Sequence, residues 1–193
     1  MPGVRRGPAT DPAPRNPCGA GRDTPYAGRM SETDDRPPLA VFDIDNTLAD
    51  TDHRQHFLES RPRDWDGFFG AAPADPPLAR GVALAVESTA DCEVVYLTGR
   101  PERCRADTTD WLTRHGLPEG RLWMRGNQDR RPARTTKLEV LKRISRGRDV
   151  RMLVDDDELV CQAARALGFR VVLANWAADA PELKSAQEGE GRT

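Results

Sequence analysis

Two aspartates two positions apart, in the run Asp43-Ile44-Asp45-Asn46-Thr47, follow directly on the apolar stretch Leu39-Ala40-Val41-Phe42. Where a buried strand ends and the chain turns, both carboxylates can face one polar pocket. Phosphoryl transfer to a carboxylate uses such a pair. One acid attacks phosphorus in line, and the other protonates the leaving oxygen and later deprotonates the water that hydrolyses the aspartyl-phosphate. Asp43 is the candidate nucleophile and Asp45 the candidate acid/base. Paired acids also occur in ordinary turns, and the pattern alone leaves both readings open.

Three other places carry matching chemistry. Val94-Val95-Tyr96-Leu97 is a second apolar run, ending in Thr98-Gly99-Arg100. There the Thr98 hydroxyl and an accessible backbone N–H can hold phosphoryl oxygens, and Arg100 is a bidentate donor suited to phosphate. A Thr-Gly pair is equally an ordinary loop start, and Arg100 an ordinary surface residue. Lysine occurs only at 137, 142 and 184, which makes Lys137 conspicuous: an ammonium near the start of a helix can neutralise a phosphoryl group. The plain alternative is a surface lysine. After Met152-Leu153-Val154 come Asp155, Asp156 and Asp157, a concentration of like charge that calls for a cation. Magnesium, which takes oxygen ligands, is the natural one, with Asp43, Asp155 and the Asp45 backbone carbonyl as the candidate shell. Asp157 and Glu158 read instead as acids favouring a helix N-terminus.

The elements that must position these residues follow from the apolar patterning. The three short apolar runs, each ending in polar chemistry, read as buried parallel strands, with Arg121 to Met124 and Phe169 to Leu173 as two more. Helices are expected from Pro101 to His115, around Leu138, Leu141 and Ile144, and along Leu159, Val160, Ala163, Ala164 and Leu167. Alternating strand and helix implies an α/β fold, a doubly wound parallel sheet whose ligands bind outside the carboxyl ends of the strands. Asp52 to Pro77 reads as an irregular lid or substrate loop, too short for a cap domain. Residues 1–38, dense in Pro, Gly and Arg, and 177–193, poor in large apolar residues, read as tails around one domain over 39–176, with Met30 as an alternative start.

Composition narrows the class. With 193 residues, 37% hydrophobic, and a net charge of −2, the chain has no global basic footprint for nucleic acid or anionic membrane. Any nucleic-acid contact must be local, and Arg121, Arg125, Arg130, Arg131 and Arg134 form such a local run. Cys18, Cys92, Cys104 and Cys161 have no C-x-x-C spacing, which points away from a zinc site or a disulfide framework. Without an apolar leader or a membrane-length stretch, a soluble cytoplasmic protein is expected, with no evident protein partner.

Taken in order, Asp43-x-Asp45-x-Thr47, Thr98, Lys137 and Asp155-Asp156 resemble the four motifs of the haloacid dehalogenase (HAD) superfamily of phosphatases. Ala49-Asp50, His53-Arg54, Asp64-Trp65-Asp66, Phe68-Phe69, Thr98-Gly99-Arg100, Met124-Arg125, Arg131-Pro132 and Val154-Asp155-Asp156 are similar to the phosphatase domain of polynucleotide kinase/phosphatase. That resemblance implies a HAD-like Rossmannoid fold with little or no cap, magnesium dependence, and removal of 3′-phosphates from nucleic-acid ends. It also implies Asp43 as nucleophile, Asp45 as acid/base, Thr98 and Lys137 as the phosphate-binding pair, Asp155 and Asp156 at the metal, and Arg100 and Arg125 as substrate-side donors. Asn46 stands where the family usually has Gly, and Ala133-Arg134 where relatives often carry acids. No G-x-x-x-x-G-K-[ST] loop occurs in the sequence. Two other readings remain: the same chemistry on a nucleotide or another small phosphomonoester, and a non-catalytic phospho-binding module.

Overall fold

The computed structural model describes Gly3 and residues 36–178 and 180–190. The chain divides into two units, Met1–Thr33 and Asp34–Thr193, and every described strand and helix belongs to the second. Nearly all of the tail expected over 1–38, and the alternative start at Met30, lie outside the described residues.

Five parallel strands form one sheet: β1 (Leu39–Phe42), β2 (Glu93–Pro101), β3 (Leu122–Arg125), β4 (Val150–Asp155) and β5 (Val171–Leu173). Their spatial order is β3-β2-β1-β4-β5. The chain moves outward from β1 through β2 to β3, then returns to lay β4 against the other side of β1. That reversal opens a crevice at the carboxyl ends of β1 and β4, as doubly wound sheets do. The expected fold class is the one observed.

Alternation along β1 explains its burial on both faces. Ala40 and Phe42 pack into one apolar cluster with Tyr96, Trp111 and Val154, while Leu39 and Val41 pack into another with Leu97, Leu141 and Val160. Each large side chain fully buried there stabilises the fold by about 1.5–3 kcal/mol. The sheet is flanked by α2 (Ala79–Ser88), α3 (Arg105–Arg114), α4 (Ala133–Ser145) and α5 (Glu158–Ala166). On α5 the buried stripe is Val160, Cys161 and Ala164, whereas Leu159 and Leu167 are more than 40% exposed, so the expected stripe holds only in part. Pro101 ends β2 rather than opening a helix, and α3 begins after a single 3-10 turn over Glu102–Cys104.

Two expectations need correction. Asp52 to Pro77 is not irregular: it contains a 3-10 helix over Asp52–Leu58, the short helix α1 (Trp65–Gly70) capped by the Asp64 side chain, and a 3-10 turn over Ala72–Ala74. It remains far smaller than a cap domain. Residues 177–193 are not simply a tail, because α6 (Pro181–Gly189) buries Leu183, Ala186 and Gln187. Leu183 and Ala186 join Leu58, Trp65, Phe68 and Phe69 in a third apolar cluster. Arg63 and the Trp65 indole N–H both donate to Glu190 just beyond that helix, so charge closes the same contact.

Candidate active site

Register carries the site residues to one level. Phe42 pairs with Tyr96 on one side and with Val154 on the other. Asp43 therefore stands beside Asp155, and Thr98 lies two residues past the pair on β2. The Asp43 N–H donates to the Val154 carbonyl at 2.9 Å, which holds the backbone at that edge. The chain then turns at Asn46, whose φ of 54° lies in the left-handed region, a conformation asparagine tolerates better than most residues. Behind the turn, Gly81 lets α2 approach closely: a Cβ there would lie 2.0 Å from the Thr47 carbonyl oxygen.

Asp43, Asp155 and Asp156 form one carboxylate group, with ligand-capable oxygens within 4.8 Å of one another. Lys137, in the second turn of α4, reaches into it, with Nζ 3.0 Å from Asp43 Oδ2 and 2.8 Å from Asp155 Oδ2. Asp43 Oδ1 is buried and has no hydrogen-bond partner. Burial drives the Asp43 carboxyl well above its ordinary range, Lys137 opposes this, and Asp155 and Asp156 add to it. Burial and the neighbouring Asp155 push Asp156 up to about 7. Burial would lower the Lys137 ammonium, but Asp155 and Asp43 outweigh it, and the lysine stays charged. Three buried carboxylates against one ammonium, with an orphaned oxygen, fit a hard divalent cation. Asp157 does not join them: it caps α5, accepting from the backbone N–H groups of Leu159 and Val160.

Asp45 lies elsewhere electrostatically. Its Oδ1 accepts from Arg54 at 2.7 Å and from Arg100 at 2.6 and 2.9 Å. Both arginines also bind Asp75 at 2.7 Å, closing a buried ring of two acids and two bases. Arg54 further lies 4.1 Å over the Phe68 ring, which fixes its plane. Burial alone would raise the Asp45 carboxyl, but Arg100 and Arg54 overcome it and hold it at about 2. The Asp45 side chain is therefore no member of the carboxylate group, and the part expected of Asp45 at a metal is that of its backbone carbonyl. Arg100 is 1% exposed, and its Nε and Nη2 are engaged by Asp45 and Asp75, so it orients an acid.

The family model for the polynucleotide kinase PNKP phosphatase domain matches residues 37–176. The chain belongs to that family. It is a HAD-superfamily phosphatase domain, and the match covers the sheet and every motif from Asp43 to Asp156. Comparison with curated protein sequences gives no match. Among solved structures, a chain of the Pnkp1/Rnl/Hen1 RNA repair complex is similar at 21% identity and a TM-score of 0.62, over 74% of this chain and 44% of that one. This phosphatase therefore spans less than half the length of that relative. The class C acid phosphatase of Bacillus anthracis is similar at 15% identity and a TM-score of 0.54, over 75% of this chain and 70% of that one. A haloacid dehalogenase-like hydrolase of Streptococcus pneumoniae, at 12% identity and a TM-score of 0.54, covers 79% of this chain and 92% of its own. At these identities the likeness is one of fold.

The remaining site residues divide. Thr98 is buried at the crevice, where its Oγ accepts from the Arg100 N–H at 3.2 Å. Arg125 ends β3, in a concavity of about 340 Å³ shared with Arg63, Arg103 and Arg130 and with Asp64, Asp66 and Asp129. Arg54 and Asp75 have no role in the sequence reading, although Arg54 stands in a stretch that carries the family resemblance. Their pairing spans 21 residues, and no periodicity signals it. The basic run also disperses: Arg131 pairs with Asp129 and Glu139, and Arg134 with Glu188. Among the described residues, no helix is long and apolar enough to cross a membrane.

Proposed function

We propose that this phosphatase is a magnesium-dependent phosphomonoesterase that works through an aspartyl-phosphate on Asp43 and acts on 3′-phosphorylated polynucleotide ends. The observation that carries the reading is the opposite environments of Asp43 and Asp45. The first sits among carboxylates beside an ammonium with one oxygen free of hydrogen bonds, and the second is gripped by two guanidiniums.

In the first half-reaction an Asp43 carboxylate oxygen bonds to phosphorus as the bond to the leaving oxygen breaks. The leaving oxygen needs a proton. Asp45 is ionised in the resting site, and a phosphomonoester monoanion carries a proton that Asp45 can relay. In the second half-reaction Asp45 takes a proton from water, the water oxygen bonds to phosphorus, and the bond to Asp43 breaks, releasing phosphate. Lys137 and Thr98 hold phosphoryl oxygens, and Arg54 and Arg100 keep Asp45 in place. Asp43, Asp155 and Asp156 would hold magnesium, which supplies neutralising charge to the phosphoryl group when bound.

The polynucleotide assignment rests on the family, whose model names a polynucleotide enzyme, and on the concavity beside the β2 and β3 ends, where four arginines stand with three aspartates. A substrate panel tests it: a 3′-phosphorylated oligonucleotide, its 5′-phosphorylated counterpart and free mononucleotides, with Asp43→Asn as the control. Preferential hydrolysis of the 3′-phosphorylated strand is expected. Equal rates on all three would replace the assignment with a small-molecule phosphatase.

A further inference from the structure

The third apolar cluster ties α6 to the segment that carries Arg54. Its buried members are Leu58, Trp65, Phe68 and Phe69 from that segment, Cys104 from the turn after β2, and Ala180, Leu183 and Ala186 at α6, with Phe57 and Met124 packed against them. None of the buried members lies on a strand, so the cluster covers the 52–77 segment rather than the sheet. Phe68 stands edge-on to Trp65 and to Phe69, with ring centroids 5.9 and 5.4 Å away. Just past α6, Glu190 accepts from the Trp65 indole N–H at 3.2 Å, and within it Glu188 pairs with Arg134 of α4 at 3.3 Å. The helix thus braces the 52–77 segment against the element that carries Lys137. The family match ends at residue 176, short of α6.

The brace meets the chemistry at Phe68. That side chain is fully buried, its ring centroid lies 4.1 Å from the Arg54 guanidinium carbon, and its carbonyl oxygen lies 3.5 Å from Arg54 Nη1. Arg54 Nε and Nη2 both bind Asp75, and Nη2 also binds Asp45. In-plane hydrogen bonds hold the edge of the guanidinium, and the ring holds its face. Arg54 and Arg100 both donate to Asp45 Oδ1, so their grip on that oxygen sets where the second one points. A tilt of Arg54 turns the carboxylate with it, and a misplacement of about 1 Å can cost on the order of a hundredfold in rate. Packing alone asks for no ring at position 68, since any large apolar side chain fills the cluster. Arg54 does ask for one, because a leucine offers no electron-rich face.

We propose that Phe68 is a positioning residue for Asp45, and that α6 serves the reaction by holding the Phe68 ring against Arg54. The inference rests on the reading of Asp45 as the acid/base and adds the route by which a helix outside the family match acts on it. Each link on that route is a contact: Leu183 and Ala186 in the aromatic cluster, Phe68 on Arg54, Arg54 on Asp45.

Leaving-group dependence tests this. A 3′-phosphorylated oligonucleotide needs a proton on its departing oxygen, whereas the same strand with sulfur in place of the bridging 3′ oxygen releases a thiolate, which departs without one. In Phe68→Leu and Leu183→Ala, kcat/KM for the oxygen ester should fall at least about tenfold, and that for the sulfur ester less than about threefold. Phe68→Tyr keeps the ring face and should keep the ratio of the two values within about twofold of wild type. A loss of folded protein lowers both values equally, so the ratio reads the site alone. The rise in melting temperature on adding magnesium should persist in all three variants, whose carboxylate group is intact. Equal losses for both esters, a wild-type ratio in Phe68→Leu, a Phe68→Tyr ratio as low as that of Phe68→Leu, or a lost magnesium response would overturn the proposal. Asp45→Asn separates it from the reading beneath it. If that variant spares the sulfur ester while Phe68→Leu does not, Asp45 remains the acid/base and the positioning role fails. If Asp45→Asn slows both esters alike, or wild type hydrolyses neither, the acid/base reading fails and the proposal with it.

Discussion

Asp43 and Asp45 differ in environment more than in position. Asp43 shares Lys137 with Asp155, keeps one oxygen without a hydrogen bond, and is pushed by burial toward its neutral form until positive charge arrives. Asp45 is saturated by Arg54 and Arg100 and stays ionised down to about pH 2. This difference makes Arg54 the sharpest single test of the acid/base assignment. Arg54→Ala leaves Asp45 and Asp75 buried with one guanidinium between them, a loss of about 3 kcal/mol visible in denaturant melts. It should also lower kcat more than it raises KM, because Asp45 loses its orientation while the phosphate-binding residues stay in place. Arg54→Lys should rescue little, since an ammonium cannot bridge both acids as the guanidinium does. Wild-type kcat in Arg54→Ala would remove the arginine ring from the mechanism.

The elements were legible where apolar runs end in polar residues. The three central strands and the polar residues at their ends follow from pattern alone, because a strand buried on both faces leaves no other reading of Val-Val-Tyr-Leu or Ala-Val-Phe. The short helices between Asp52 and Ala74 were not legible, since Pro62, Pro73 and several aspartates interrupt any helical period and the segment folds against distant partners, α6, Cys104 and Met124 among them. The α6 helix was hidden for a related reason: its buried stripe is Leu183, Ala186 and Gln187, with one large apolar residue among small and polar ones. Leu183→Ala should cost about 2–5 kcal/mol in equilibrium unfolding if that residue anchors α6 to the aromatic cluster. A loss of a few tenths would return residues 177–193 to the tail expected from composition. The turn after β1 makes a second test at this scale. Asn46→Gly keeps the backbone conformation but removes the buried acceptor of the Thr51 hydroxyl and should cost about 1 kcal/mol, whereas Asn46→Val loses the same bond and adds a branched Cβ at positive φ, and should cost roughly 1–2 kcal/mol more.

Across the whole molecule, one sheet edge collects residues from four elements, and the stability of the fold is tied to what neutralises them. Asp156, pushed by burial and Asp155 up to about 7, binds its proton more tightly folded than unfolded, where a carboxyl titrates near about 4. Its contribution is complete below pH 4 and is lost as the pH rises through about 7. Metal-free protein should therefore melt at lower temperature at pH 8 than at pH 5, and the gain in melting temperature on adding magnesium should grow over the same interval. A magnesium effect that is flat with pH would argue against the carboxylate group as its site. The sheet order, the register at Phe42 and the lysine in α4 together point to one covalent event. Rapid acid quenching of the enzyme with a 3′-phosphorylated oligonucleotide and magnesium, followed by mass spectrometry of its peptides, tests that event directly. A phosphoryl group is expected on the peptide containing Asp43, absent with Asp43→Asn and absent in EDTA. Release of phosphate at full rate with that peptide unmodified at every time point, or with the phosphoryl group on another residue, would contradict it.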